Sequence, residues 1–201
     1  MATEFDPVPA CFCGVPFLAP ARLERIVRDK LARFERETGT RPSFPIDIES
    51  LVEIMEKIEV EYFDDCHPEF DSDVLGAYDF SADKLFVRES IPHDGRRRFT
   101  WAHEYGHFVL HKPHFLQGVF DFFNESSNPV VQLHRGEGST RNRLESQANM
   151  FASYILMPSA HISQLFTSGW TSIEEASRTL ANVANVSLQS ARIRLENFKS
   201  N

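Results

Sequence analysis

From Pro20 to Arg36 the apolar residues Leu23, Ile26, Val27, Leu31 and Phe34 return at helical spacing, with Arg, Lys, Glu and Asp between them. That period predicts an amphipathic helix with one face toward a core. Gly39, Pro42 and Pro45 in "GTRPSFP" end it, and Asp47 stands where it can cap a second, shorter helix over "IESLVEIMEKI". The pattern then tightens. "EVEYFDD", "VLGAYDF" and "KLFVRES" read as three short strands, with Ser81, Ala82 and Asp83 turning the chain between the last two, and an antiparallel arrangement is expected. Helical spacing returns from Arg96 to about His111, where Pro113 is expected to end it. The Gly, Ser and Asn content through Thr140 then predicts a long irregular connection. Next, Leu144, Ala148, Phe151, Ala152, Ile155 and Leu156 share one helical face until Pro158. Three short helices follow, at about His161 to Phe166, Ile173 to Ala184 and Leu188 to Phe198, with Ser172 and Ser187 as caps. The expected fold class is α+β, a small antiparallel sheet of about three strands surrounded by helices, with a helical C-terminal segment.

With 201 residues, 42% of them hydrophobic and 25% charged, the chain has the composition of one folded domain rather than of a disordered segment. Its formal charge of −8 disfavours non-specific adhesion to nucleic acid and to anionic membranes, both of which depend on clustered cations. The opening "MATEFDPVPACFCGVPFL" lacks a basic stretch followed by an apolar run, and no segment approaches the roughly 20 apolar residues that span a bilayer. A cytoplasmic protein with no membrane partner is expected. Cys11, Cys13 and Cys66 are too few for a disulfide framework; Cys11 and Cys13 form a short pair that is a weak signal for metal binding.

Against that ordinary background "FTWAHEYGHFVLH" stands out. Residues four apart on a helix project from nearly the same side, so His103 and His107 can offer two imidazoles to one cation. Glu104 points off that axis and is suited to move a proton rather than to ligate. A catalytic zinc takes three protein ligands and keeps one position open. The extended motif of the metzincins would need Gly at position 110 and His at position 113, where this chain has Leu110 and Pro113. His111, His114 and His134 remain candidates for the third ligand. Glu145 is favoured over them, because it opens "ESQANMFASYILMP", a helix whose apolar face would pack against the first. Asn149, one turn further along, can accept a ring N–H from a ligand histidine and so fix its tautomer.

"RRRFTWAHEYGHFVLH" and "ESQANMFASYILMP", in that order, resemble the two motif blocks of the ImmA/IrrE family of metallo-endopeptidases, and weaker similarity extends over roughly residues 15 to 198. The resemblance implies a zincin-like metallopeptidase domain over residues 1–158, with 1–18 as an N-terminal tail, and a helical segment over 159–201 packed on it. It implies that His103, His107 and Glu145 bind zinc, with manganese or iron as alternatives, and that Glu104 is the catalytic acid/base. Tyr105, His111, His114, His134, Arg141, Arg143 and Tyr154 are candidates for the donor that stabilises an oxyanion. The family's associations imply a protein substrate, a helix-turn-helix transcriptional repressor of a stress-response or mobile-element system; the alternative reading is a zinc-containing module of a toxin-antitoxin or phage-regulatory pair that binds its partner without cutting it. Arg178, Arg192, Arg194 and Lys199 could contact phosphate, but on so acidic a chain packing is favoured over direct DNA binding. "VFDFFNE", Val119 to Glu125, would fold onto the core or flank a cleft, and the acidic "DDCHPEFDSD" is expected to be solvated.

Overall fold

The structure is a computed structural model that describes residues 17–116, 139–170 and 172–199; for residues 115 and 139–141 it describes the backbone only. Cys11, Cys13, the 119–125 segment and His134 lie outside the described residues.

The first amphipathic run forms α1 (Pro20–Thr38), started by a proline at its N-terminus and burying Leu23, Val27, Leu31 and Phe34. Gly39 closes it at φ 70°, its N–H donating to the Glu35 carbonyl. Asp47 accepts from the Ser50 N–H at 3.0 Å, as its capping position requires. The helix it starts is not uniform: α2 (Ile48–Ser50) passes into a π-helical segment (Leu51–Met55). The wider turns still carry Ile48, Leu51, Val52 and Met55 into the core, while Ile54 faces outward.

The three strands are β1 (Glu59–Phe63), β2 (Gly76–Asp79) and β3 (Lys84–Arg88), in the order β1-β3-β2. β2 and β3 form the expected antiparallel hairpin, with Tyr78 opposite Leu85. Asp79 holds its turn by accepting from the Ser81 and Ala82 N–H groups at 2.7 and 3.1 Å. The expectation of a wholly antiparallel sheet is corrected, because β1 runs parallel to β3, with Glu61 opposite Phe86. Parallel neighbours need a crossover of a dozen or more residues. The 64–75 connection is that long, and it delivers the chain to the far edge so that β3 returns between the two.

Helix α3 (Asp94–Leu116) also exceeds the expected stop, running through Pro113. A proline one turn from a helix end forfeits a single hydrogen bond. Lys112 compensates by pairing with Asp83 at 2.5 Å and lying 5.1 Å over the Phe108 ring, which pins the last turns to the β2–β3 hairpin. Helix α4 (Ser139–Leu156) packs along α3, and Trp101, Ala102, Tyr105, Phe151, Ala152 and Ile155 join α1 and the sheet in the main core. Behind it, α5 (Ser159–Leu165), α6 (Ile173–Ala184) and α7 (Leu188–Lys199) enclose a second core of Met157, Ile162, Ala176, Leu180, Ala184, Ala191 and Leu195. Arg194 ties the two together. It is fully buried, donating from Nε to the Met157 carbonyl and from Nη2 to Glu24 and Ser159, with its guanidinium 3.8 Å over the Tyr154 ring. The fold is therefore α+β, a small mixed sheet among helices, with a helical C-terminal part.

Candidate metal centre

The site is built where α3 and α4 touch. Gly106 permits the contact: a Cβ there would stand 3.2 Å from Ala148 Cα, Ala148 O and Phe151 Cδ1. With the helices this close, the donors that face each other across the seam converge. His103 Nε2 lies 3.1 Å from His107 Nε2, and Glu145 brings one carboxylate oxygen to 3.2 Å from the first ring and the other to 3.5 Å from the second.

Those three separations test whether a metal fits. Ligand atoms placed tetrahedrally at about 2.0–2.2 Å from zinc are separated by about 3.3–3.6 Å, and the two ring nitrogens and the two carboxylate oxygens stand at or near such separations. Glu145 Oε1 gives the second indication. It is buried without a hydrogen-bond partner, a costly condition for a carboxylate oxygen that a cation would relieve. Among the described residues, His103, His107 and Glu145 are the group of three whose ligand atoms all fall within 4.8 Å of one another. The residues fit a divalent cation.

The surroundings turn both rings the right way. If each Nε2 lone pair faces the cation, each Nδ1 must carry the proton and donate it. His103 Nδ1 has Asn149 Oδ1 at 3.0 Å, and His107 Nδ1 has His111 Nδ1 at 3.0 Å. His111 thereby meets His107 on its Nδ1 side; it is not among the converging ligand atoms. Its other nitrogen, Nε2, sits 3.1 Å from Gln147 Oε1. His114, half-buried further along α3, is also outside the triangle.

Glu104 is buried one position from His103, where β2 lies directly on α3. A Cβ at Gly76 would meet Thr100 Cγ2 at 2.5 Å and the Glu104 Cγ and Oε1 at 3.1 Å, so only glycine allows the strand to cover this carboxyl. Burial, reinforced by the charge of Glu145 and opposed by His103, pushes the Glu104 carboxyl up to about 7. At His103 burial acts downward on the imidazolium, but the hydrogen bond to Glu145 and the charges of Glu104 and Glu145 outweigh it, and the net direction is up. Burial drives His111 down to about 4 against the hydrogen bond to Gln147.

Two candidate oxyanion donors are engaged elsewhere. The Tyr105 hydroxyl donates to Glu56 at 2.8 Å, and Tyr154 is buried under Arg194. Arg143 is half-buried on α4, and the side chain of Arg141 lies outside the described residues. Sequence reasoning passes over Gln147, Gly76 and Gly106. The glycines leave no periodic trace, and Gln147 sits in "ESQAN" as one polar residue among several.

Comparison with known proteins gives one family match, to the IrrE N-terminal-like domain (Peptidase_M78) over residues 71–196, well over half of the chain. No curated protein matches. Among solved structures, a Mycobacterium tuberculosis transcriptional regulator is similar at 14% identity with a TM-score of 0.47, the match covering 86% of this chain and 44% of that one. This chain therefore spans less than half the length of that regulator.

Proposed function

The chain belongs to the IrrE N-terminal-like peptidase family, and from that premise we propose that it is a zinc-dependent endopeptidase of narrow specificity acting on a helix-turn-helix transcriptional repressor. The observation that carries the reading is the convergence of His103 Nε2 and His107 Nε2, 3.1 Å apart, on the Glu145 carboxylate, whose two oxygens lie 3.2 and 3.5 Å from the rings and one of which is buried without a hydrogen-bond partner. These three side chains would hold the cation. A zinc ion there supplies Lewis acidity, lowering the pKa of water toward about 7 and polarising a carbonyl.

The chain's own residues do the rest. Glu104 takes a proton from the attacking water onto its carboxylate and delivers it to the nitrogen of the leaving amine, while β2 covers the carboxyl from bulk solvent. Asn149 accepts the Nδ1 proton of His103 and keeps that ring turned to the site. Residues 1–158 act as the peptidase domain and 159–201 as a helical segment packed against it. The cations of that segment favour packing over DNA binding. Arg194 is fully buried, Arg178 and Arg192 pair with Glu174 and Glu196 one turn away, and Lys199 lies 4.9 Å over Trp170. Among the described residues no helix is long and apolar enough to cross a membrane. The proposed target is a cytoplasmic repressor.

The test is incubation of the purified chain with helix-turn-helix repressors encoded beside it, read by intact mass. Two fragments whose masses sum to the repressor plus one water are expected. They should vanish with chelator, return with zinc, and be absent for Glu104→Gln. Repressors that stay whole with zinc bound would overturn the substrate class, and cleavage that survives chelation would overturn the metallopeptidase reading.

A further inference from the structure

On the Nδ1 side of His107 lies a buried polar pair that the proposed chemistry does not use. His111 is 1% exposed and Gln147 8%, and they meet at the contact between α3 and α4. Polar groups are rarely buried there without partners to satisfy them, and these two are arranged in series. His107 Nδ1 is 3.0 Å from His111 Nδ1, and His111 Nε2 is 3.1 Å from Gln147 Oε1.

We propose that His111 and Gln147 form a two-step hydrogen-bond relay that sets the tautomer and ring orientation of His107, making both of them positioning residues for metal binding. The inference rests on the reading that His107 Nε2 faces the cation. Given that, the two contacts order the protons of the relay. A lone pair on Nε2 leaves the His107 proton on Nδ1, which must donate. Its acceptor is His111 Nδ1, so the His111 proton sits on Nε2 and donates to Gln147 Oε1. The amide oxygen has no proton to give, so in this contact it accepts. The two ligand histidines are thus held by different devices: His103 by Asn149 directly, His107 through a second imidazole. The difference follows burial. His103 lies nearer the surface, its side chain 16% exposed, whereas His107 is fully buried and a water cannot replace its partner. The relay also couples the helices, because His107 and His111 are on α3 and Gln147 is on α4, two positions from Glu145.

The experiment measures zinc affinity by competition with a chromophoric chelator in the full chain, for the wild type, His111→Leu, His111→Gln and Gln147→Met, alongside the visible spectrum of each cobalt-substituted protein. Loss of a partner of a ligand histidine lowers metal affinity by about 10–100-fold, and that loss is expected for His111→Leu. His111→Gln offers an amide oxygen to the same Nδ1–H and is expected to recover most of the affinity. Gln147→Met leaves His111 in place but frees its tautomer, so a smaller loss is expected, with a cobalt spectrum shifted in the direction of His111→Leu. Rescue by glutamine but not by leucine is the signature that packing alone would not produce. Should His111→Leu fail to fold, the glutamine and Gln147→Met variants carry the same comparison. A wild type that binds zinc, with all three variants matching it in affinity and spectrum, would overturn the relay and leave the peptidase reading standing. A wild type that binds no zinc would overturn both.

Discussion

Replacing Gly106 by alanine probes the helix contact on which the whole site depends. In an exposed helix interior the change stabilises by about 1 kcal/mol, because alanine loses less backbone freedom on folding. Here the new methyl would meet Ala148 Cα, Ala148 O and Phe151 Cδ1, each at 3.2 Å, a few tenths of an ångström inside comfortable contact. The Phe151 ring can turn slightly, but the two Ala148 atoms are backbone, so α4 itself must move outward. Overpacking of this kind costs about 1–3 kcal/mol, which against the propensity gain leaves a net loss of about 0–2 kcal/mol. For a chain of this length 1 kcal/mol lowers Tm by about 2–4 °C. The effect on metal should be larger. Glu145, Gln147 and Asn149 all ride on α4 and all meet histidines of α3, so one displacement lengthens three contacts together. A loss of about 10-fold or more in zinc affinity is expected, the scale of removing one partner of a ligand. Thermal unfolding by circular dichroism and chelator competition on the same samples read both quantities. A Gly106→Ala protein with raised Tm and wild-type zinc affinity would refute the close-packed seam.

Further predictions follow from the same structure. Glu104→Gln should lower repressor cleavage by about 100- to 10,000-fold while zinc content, read by atomic emission, stays at the wild-type level; loss of zinc together with activity would show that Glu104 acts as a ligand. Glu56 supplies a pH dependence. Burial pushes its carboxyl up, but hydrogen bonds from Lys30 and Tyr105 and the charges of Lys30 and Arg33 outweigh this, and the net direction is below its ordinary 4.5. A carboxyl depressed on folding contributes stability that is complete above the unfolded value and is lost as pH falls through the folded one. Urea unfolding across acid pH should therefore show a decline below about 4.5 that is shallower in Glu56→Gln; identical slopes would refute the assignment. Arg194→Met removes a buried cation from the Met157 carbonyl, Glu24 and Ser159, and should destabilise the chain by about 2–4 kcal/mol, with hydrogen exchange speeding first in α6 and α7. An unchanged exchange pattern in those helices would contradict its tying role.

How much of this is legible in the sequence depends on whether the determinant is local. The placement of His103 and His107 side by side follows from helical periodicity alone, and the run from Leu144 to Leu156 shows that Glu145 lies on a helix with a face to bury, although that helix starts earlier, at Ser139. The hairpin is legible too, since Asp79, Ser81 and Ala82 make the turn within a few residues. The direction of β1 is not. Its partner is set by the 64–75 connection, whose residues carry no regular period. The π-helical segment hides for another reason, because apolar residues at 48, 51, 52 and 55 satisfy an α-helix equally well. Nor does spacing reveal the orientation of His111. One turn beyond His107 it sits on the ligand face by position, whereas its ring is held by contacts to His107 and to Gln147 on a different helix. Side-chain direction within a face is a tertiary property.

The most direct test of the metal centre is a zinc-edge anomalous difference map from crystals of the zinc-loaded chain. One peak is predicted, at about 2.0–2.2 Å from His103 Nε2, His107 Nε2 and a Glu145 carboxylate oxygen. A peak held by other residues, or none at that point with zinc present in the crystal, would contradict it.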